Sequence, residues 1–161
     1  MDEYEENNII QKTGILYVDD EEHNLVAFKA SLRREFNVYT AISPEAAQEF
    51  LDKEDLKVVL SDQRMPKKTG VEFFTELKKT HPEPIRILLT GYTDMQAVVD
   101  AINQGEVYRY LTKPWDTPNM VAAINQAIEI FNLRKENKRL LAELKRVNSQ
   151  LEFYLRQKLL S

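Results

Sequence analysis

Four short apolar runs in this chain lead into side chains that together could hold a divalent cation and a phosphoryl group. Gly14-Ile15-Leu16-Tyr17-Val18 runs into the acidic pair Asp19-Asp20, and Lys57-Val58-Val59-Leu60-Ser61 runs into Asp62. The run Ile85 to Leu89 meets Thr90-Gly91, and the run Val107 to Leu111 is followed by Lys113-Pro114. If the runs are strands of one parallel sheet, an acid pair, an acid, a hydroxyl and an ammonium converge on one edge. Three carboxylates at close range repel and raise one another's pKa unless a cation joins them. Mg²⁺, or Mn²⁺ in its place, suits such a set, since it prefers a few hard carboxylate oxygens and keeps some of its water. Lys113 would neutralise phosphoryl oxygens or hold the empty carboxylate, and Thr90 would donate a hydroxyl hydrogen bond to the same oxygens.

Each group has a plainer explanation when taken singly. An acid pair after a strand often caps a helix, Asp62 before Gln63-Arg64-Met65-Pro66 could start a turn, and a lone Thr-Gly or Lys-Pro says little. Four in order, each closing a strand, make coincidence a poor account. His23 and His81 lack ligand spacing and read as ordinary surface histidines, while Trp115 reads as packing.

The elements that must position these groups alternate in type. Apolar runs near 14–19, 37–41, 57–61, 85–90 and 107–111 read as strands. Amphipathic stretches near 22–35, 44–53, 70–80, 94–103 and from 117 onward read as helices, the pattern of βα units around a parallel sheet. Ser43-Pro44 and Thr117-Pro118 each set an N-cap residue before proline, and Gly105 follows the fourth helix as a C-terminal glycine. The first run is apolar on both faces, as a central strand covered by helices on both sides should be.

Composition narrows the function classes. Apolar residues make up 43% of 161 residues, enough for a core, and with no cysteine there is no disulfide framework or thiolate nucleophile. No run reaches the roughly 20 apolar residues of a membrane span, and the leader over 1–11, with Asp2-Glu3-Tyr4-Glu5-Glu6, is no secretory signal. A soluble cytoplasmic protein that does not engage the membrane is expected. Residues 1–128 hold 14 Lys+Arg against 22 Asp+Glu, which argues against a nucleic-acid surface on the globular part. Residues 129–161 hold 8 against 4, too mixed in sign for a DNA-binding arm.

The last helix outruns a compact domain. Val121, Ile124, Ile128 and Phe131 fit a period near 3.6 and would pack on the sheet. A seven-residue repeat then takes over, with Ile130, Asn137, Leu144 and Leu151 at one seam position and Leu133, Leu140, Val147 and Tyr154 at the other. No proline or glycine interrupts residues 119–161, so a continuous helix would reach about 60 Å. Asn137 at a seam position favours a parallel, in-register homodimer, because a buried amide there pairs with its own copy. Leu141 and Leu155 widen the apolar face and Lys158 falls at a late seam position, so a higher oligomer or another partner stays open.

The ordered set Val18-Asp19-Asp20, Ser61-Asp62-Gln63-Arg64-Met65-Pro66, Leu89-Thr90-Gly91 and Tyr110-Leu111-Thr112-Lys113-Pro114 resembles the receiver domain of two-component response regulators. The resemblance covers residues 12–131, leaving 132–161 as a coiled-coil extension. It implies a flavodoxin-like α/β fold, a doubly wound five-stranded parallel sheet in the order 2-1-3-4-5. It also implies that Asp62 is the phosphoacceptor for a sensor histidine kinase or phosphotransfer protein. Asp20 and Asp62 would ligate the metal by side chain, Asp19 largely through water, and Arg64 through its backbone carbonyl. Thr90 and Tyr110 match the family's switch pair, and Lys113 its lysine before a cis-proline peptide. Arg64 and Tyr92 match the positions that tune the lifetime of the acyl phosphate, and their bulk implies slow self-dephosphorylation.

Two outputs fit this reading: relay by the helix pair to an output domain, or a stand-alone dimeric adaptor that docks a partner. Asp62-Gln63-Arg64-Met65-Pro66 with Leu89-Thr90-Gly91-Tyr92-Thr93-Asp94 looks like receivers that precede cyclic-dinucleotide phosphodiesterase or other signalling-enzyme domains. Two rivals stand further off. An aspartate-nucleophile phosphatase wants Asp-x-Asp after its first strand, where this chain has adjacent acids. A leucine-zipper transcription factor wants a dense basic block, where residues 134–139 supply four basic residues around Glu136.

Overall fold

The computed structural model describes residues 11–91 and 95–161. Ten elements alternate along the chain: β1 (Gly14–Val18), α1 (Glu22–Leu32), β2 (Asn37–Ala41), α2 (Pro44–Lys53), β3 (Val58–Asp62), α3 (Gly70–Thr80), β4 (Ile85–Thr90), α4 (Met95–Asn103), β5 (Arg109–Thr112) and α5 (Thr117–Leu159). The strands form one parallel sheet in the order β2-β1-β3-β4-β5. The alternation predicted a parallel βα sheet, and the doubly wound order is the one the resemblance implied.

Alternate side chains of each strand serve opposite faces. Ile15, Tyr17, Val58, Leu60, Ile87 and Leu89 pack with Phe28 and Leu32 of α1 and Met120 and Ile124 of α5. Leu16, Val18, Val59 and Leu88 pack on the other face with Leu51, Phe74, Leu77, Val98 and Ala101 of α2, α3 and α4. Burying each such Leu, Val or Phe contributes about 1.5–3 kcal/mol, so two layers on a shared sheet suffice for a cooperative domain.

Several boundaries differ from the sequence reading. Asp62 is the last residue of β3 rather than the residue after it. α1 stops at Leu32, because the amides of Glu35 and Phe36 fold back onto Leu32 O and bury Phe36 in the core. β5 starts at Arg109, because the amides of Glu106 and Val107 are spent on Ala101 O in closing α4. Ser43 caps α2 as expected, its hydroxyl accepting from the Ala46 amide at 3.0 Å. The cap of α5 is Asp116, not Thr117: the Asp116 carboxylate accepts from the Asn119 amide at 2.8 Å. Gly105 follows α4 with φ 76°, the left-handed turn that favours glycine.

α5 runs for 43 residues. Its first turns are fixed to the domain, with Met120, Ala123, Ile124 and Ala127 buried and Phe131 packed on the core. Ile130 is half-buried against that core as well, so the open part of the expected seam begins at Leu133. The Lys57 ammonium marks the exit, lying 5.5 Å over the Phe131 ring and donating to Asn132 Oδ1 at 2.8 Å. Beyond it Leu133, Leu140, Leu144, Val147, Leu151 and Tyr154 are 44–58% exposed. Intrahelical pairs Glu136–Arg139 and Glu143–Arg146 run beside this stripe.

Candidate functional site

The carboxyl ends of β1, β3, β4 and β5 bring the predicted groups together. Asp19 follows β1 and is fully buried, its amide donating to Ala41 O at 3.1 Å. Its carboxylate accepts from the Tyr17 hydroxyl at 2.5 Å, the Glu21 amide at 2.9 Å and the Asn24 side-chain amide at 3.1 Å. A buried carboxylate needs such partners. Burial, and then the bond and charge of Asp19, push the Tyr17 hydroxyl pKa far above the usual phenol range, so Tyr17 remains a donor.

Asp62, only 9% exposed, points its Oδ1 at Lys113 Nζ, 2.8 Å away; the same ammonium lies 3.7 Å from Asp19 Oδ2. Burial raises the Asp62 pKa above its ordinary value, the Lys113 bond and charge oppose this, and the Asp19 charge adds to it. Asp20 is the exposed member of the cluster, and one carboxylate oxygen from each of Asp19, Asp20 and Asp62 lies within 4.8 Å of the others. Three hard-oxygen donors facing one ammonium fit a divalent cation. Asp19 already accepts from three donors and Asp62 from Lys113, while Asp20 is open to solvent.

Lys113 precedes a cis peptide to Pro114, as the resemblance implied, and its amide donates to Thr90 O at 2.9 Å, tying the ends of β4 and β5. Thr90 is buried, and its hydroxyl donates to Gly91 O at 2.9 Å rather than to the acids. Tyr110 is half-buried against the α2–α3–α4 face of the core. Arg64 lies exposed two residues beyond Asp62, and Tyr92 lies outside the described residues.

Four contributors were not singled out by sequence. Tyr17 and Asn24 hold Asp19; Tyr17 is two residues from Asp19 in an extended run, a spacing that puts both on one side. Gln63 is buried after Asp62: its amide donates to Leu89 O, and its side-chain oxygen accepts from the Val71 amide at 3.0 Å. Gly70 lets α3 begin against β3, because a Cβ there would lie 2.5 Å from Asp62 O and 2.6 Å from Leu88 Cδ1. Side-chain-to-backbone bonds and close approaches of this kind leave no periodic trace in a sequence.

Residues 15–125 match the model of the response regulator receiver domain, and the chain belongs to that family. Among curated proteins it is similar to the hydrogenase transcriptional regulatory protein HoxA of Cupriavidus necator, at 37% identity over 151 residues, 94% of this chain and 31% of that protein. The chain thus spans about a third of that relative's length. Among solved structures, a response regulator receiver domain protein from Clostridium thermocellum superposes with TM-score 0.71 at 33% identity, covering 75% of this chain and 98% of that one. The signal receiver domain of an HD domain-containing protein from Pseudomonas fluorescens Pf-5 gives TM-score 0.72 at 31% identity, covering 80% and 95%. No helix among the described residues is long and apolar enough to cross a membrane.

Proposed function

We propose that Asp62 accepts a phosphoryl group from the phosphohistidine of a sensor histidine kinase or phosphotransfer protein, and that α5 carries the resulting state to a dimeric output. The observation behind this reading is the Lys113 ammonium 2.8 Å from Asp62 Oδ1, beside the acidic cluster at the open sheet edge. An Asp62 oxygen attacks phosphorus, the P–N bond breaks, and the imidazole leaves with its electron pair and takes up a proton. Lys113, already bonded to Asp62 and close to Asp19, offsets charge on the transferring group. Mg²⁺, held by Asp20 and Asp62 with the Arg64 carbonyl and with Asp19 acting largely through water, would supply further charge neutralisation. Asp19 is unsuited to nucleophilic attack, because three hydrogen bonds occupy its carboxylate in a buried setting. That disfavours the phosphatase alternative, whose nucleophile would follow β1.

The new phosphoryl oxygens compete with Gly91 O for the Thr90 hydroxyl, and Tyr110, on the neighbouring strand, turns into the space Thr90 vacates. This shifts a pre-existing equilibrium at the α4–β5–α5 face. The exposed stripe from Leu133 to Tyr154 is covered by a second copy in a parallel, in-register coiled coil, with Asn137 facing its own counterpart. Similarity to a transcriptional regulator about three times as long favours relay to an output domain over a stand-alone adaptor, in a cytoplasmic setting.

Incubation with acetyl phosphate and Mg²⁺ tests the chemistry. Intact-mass measurement is expected to show one added phosphoryl group that hydroxylamine removes and Asp62→Asn never acquires. An unmodified wild-type mass, or equal modification of Asp62→Asn, refutes it.

A further inference from the structure

At the opposite edge of the sheet, β4 carries a buried cation that the phosphoacceptor chemistry does not use. Arg86 is 6% exposed and forms no ion pair among the described residues, although the nearby Glu106 charge partly offsets the lowering of its pKa by burial. Backbone carbonyls surround it instead. Nε donates to Glu106 O at 2.7 Å, Nη2 to Gly105 O at 3.2 Å, and Nη1 to Pro82 O and Pro84 O at 3.3 and 3.2 Å. These carbonyls belong to two turns, one after α3 and one after α4. All four lie just beyond the carboxyl ends of α3 and α4, where the negative ends of the helix dipoles also favour a cation. Arg86 O in turn accepts from the Tyr108 amide at 2.9 Å, so the residue holds the turn by side chain and main chain alike.

The carboxyl end of α4 is held by further contacts. Its carboxyl end is closed by the amides of Glu106 and Val107 on Ala101 O, by the left-handed turn at Gly105, and by Lys78 Nζ on Gln104 O at 3.4 Å. Its buried residues are Val98 and Ala101, whereas Met95, Gln96 and Ala97 at the amino end are not buried. The Gln96 side chain bonds within the helix, to Asp100 Oδ1. The amino end of α4 lies toward Thr90-Gly91 in the chain; the carboxyl end sits on Arg86.

We propose that Arg86 is a positioning residue of the switch: its guanidinium pins the carboxyl end of α4 to the floor of the sheet, so that a change begun at Thr90 displaces the amino end of α4 about a fixed point. The pin stands on the carbonyl contacts alone, while the displacement rests on Asp62 being the phosphoacceptor. Arg134 of α5 lines the same small cavity with Arg86 and Gly105, so the fixed point lies where α5 leaves the domain.

Hydrogen exchange read by mass spectrometry on the full chain tests both halves. In the unloaded protein, Arg86→Lys keeps the charge but loses the planar fork, and is expected to speed exchange at amides 101–107 by about tenfold or more while amides 15–18 stay protected. Unchanged protection at 101–107 overturns the pin, whatever Asp62 does. In wild type carrying the intact-mass phosphoryl adduct, exchange is expected to change at 95–99 and not at 101–107; in Arg86→Lys it changes at both. Equal changes along α4 in loaded wild type overturn the fixed point. An absent adduct counts against the phosphoacceptor reading and leaves the unloaded comparison to judge the pin. Loss of the fold in Arg86→Lys, seen as lost protection at 15–18, transfers the unloaded test to Arg86→Gln.

Discussion

The sheet edge around Asp62 and the helical extension beyond Phe131 are each left incomplete, in different currencies. At the sheet edge the shortfall is charge: Asp19, Asp20 and Asp62 converge on Lys113. Along the extension it is apolar area, with six seam residues from Leu133 to Tyr154 near half exposure. Charge in a small open site can be balanced by something that comes and goes, an ion or a covalently added group. Apolar area along about six helical turns calls for a partner that stays. On the proposed function, the molecule separates a reversible input at the sheet edge from an assembly surface along α5.

The largest effect should come from removing the cation at the sheet edge. Lys113→Ala is expected to slow phosphoryl acceptance from acetyl phosphate by about a hundredfold or more, followed by intact mass, while sedimentation stays that of wild type. A loss of assembly in the same variant would break the separation. The converse variant, Leu140→Ser with Leu144→Ser, should convert the proposed dimer to monomer in sedimentation velocity and leave the acceptance rate within about twofold. A smaller effect concerns lifetime. Arg64→Ala and Tyr92→Ala are each expected to shorten the acyl phosphate several-fold by admitting in-line water, measured as decay of the adduct mass after the donor is removed; unchanged decay would discard the screening idea.

The smallest effect is on stability. Because burial raises the Asp62 pKa in the folded state, its ionised form costs stability above that pKa, and the cost fades as the folded state takes up a proton at lower pH. Asp62→Asn without divalent metal should therefore melt slightly higher than wild type at neutral pH, with the gap closing through the acidic carboxylate range. A lower melting temperature for Asp62→Asn at neutral pH would show that the Lys113 pair outweighs burial.

Sequence legibility followed the same division. Strand ends, helix order and the apolar stripe of α5 were readable, because each repeats with a period or falls at a fixed place in a βα unit. Asp19, Asp20, Asp62, Thr90 and Lys113 were found because they sit where strands must stop. The support beneath them was largely hidden: only the two-residue spacing from Asp19 in an extended run hints at Tyr17, and nothing in that run marks its hydroxyl as the donor to Asp19. Local competition also misled the cap of α5, where both Asp116 and Thr117 could serve and Asp116 wins by reaching the Asn119 amide. Arg86, inside the run Ile85 to Leu89, carried no sequence signal of its role, since its carbonyl partners come from two turns about 20 residues apart in the chain.

The absence of any break in α5 between Asp116 and Leu160 has a mechanical meaning. The 28 residues from 132 to 159 form an arm of about 42 Å, so a tilt of about 5° at the Lys57–Asn132 junction would carry its tip sideways by about 4 Å. Sub-ångström adjustments inside the body become, at that distance, a displacement nearly the width of a side chain.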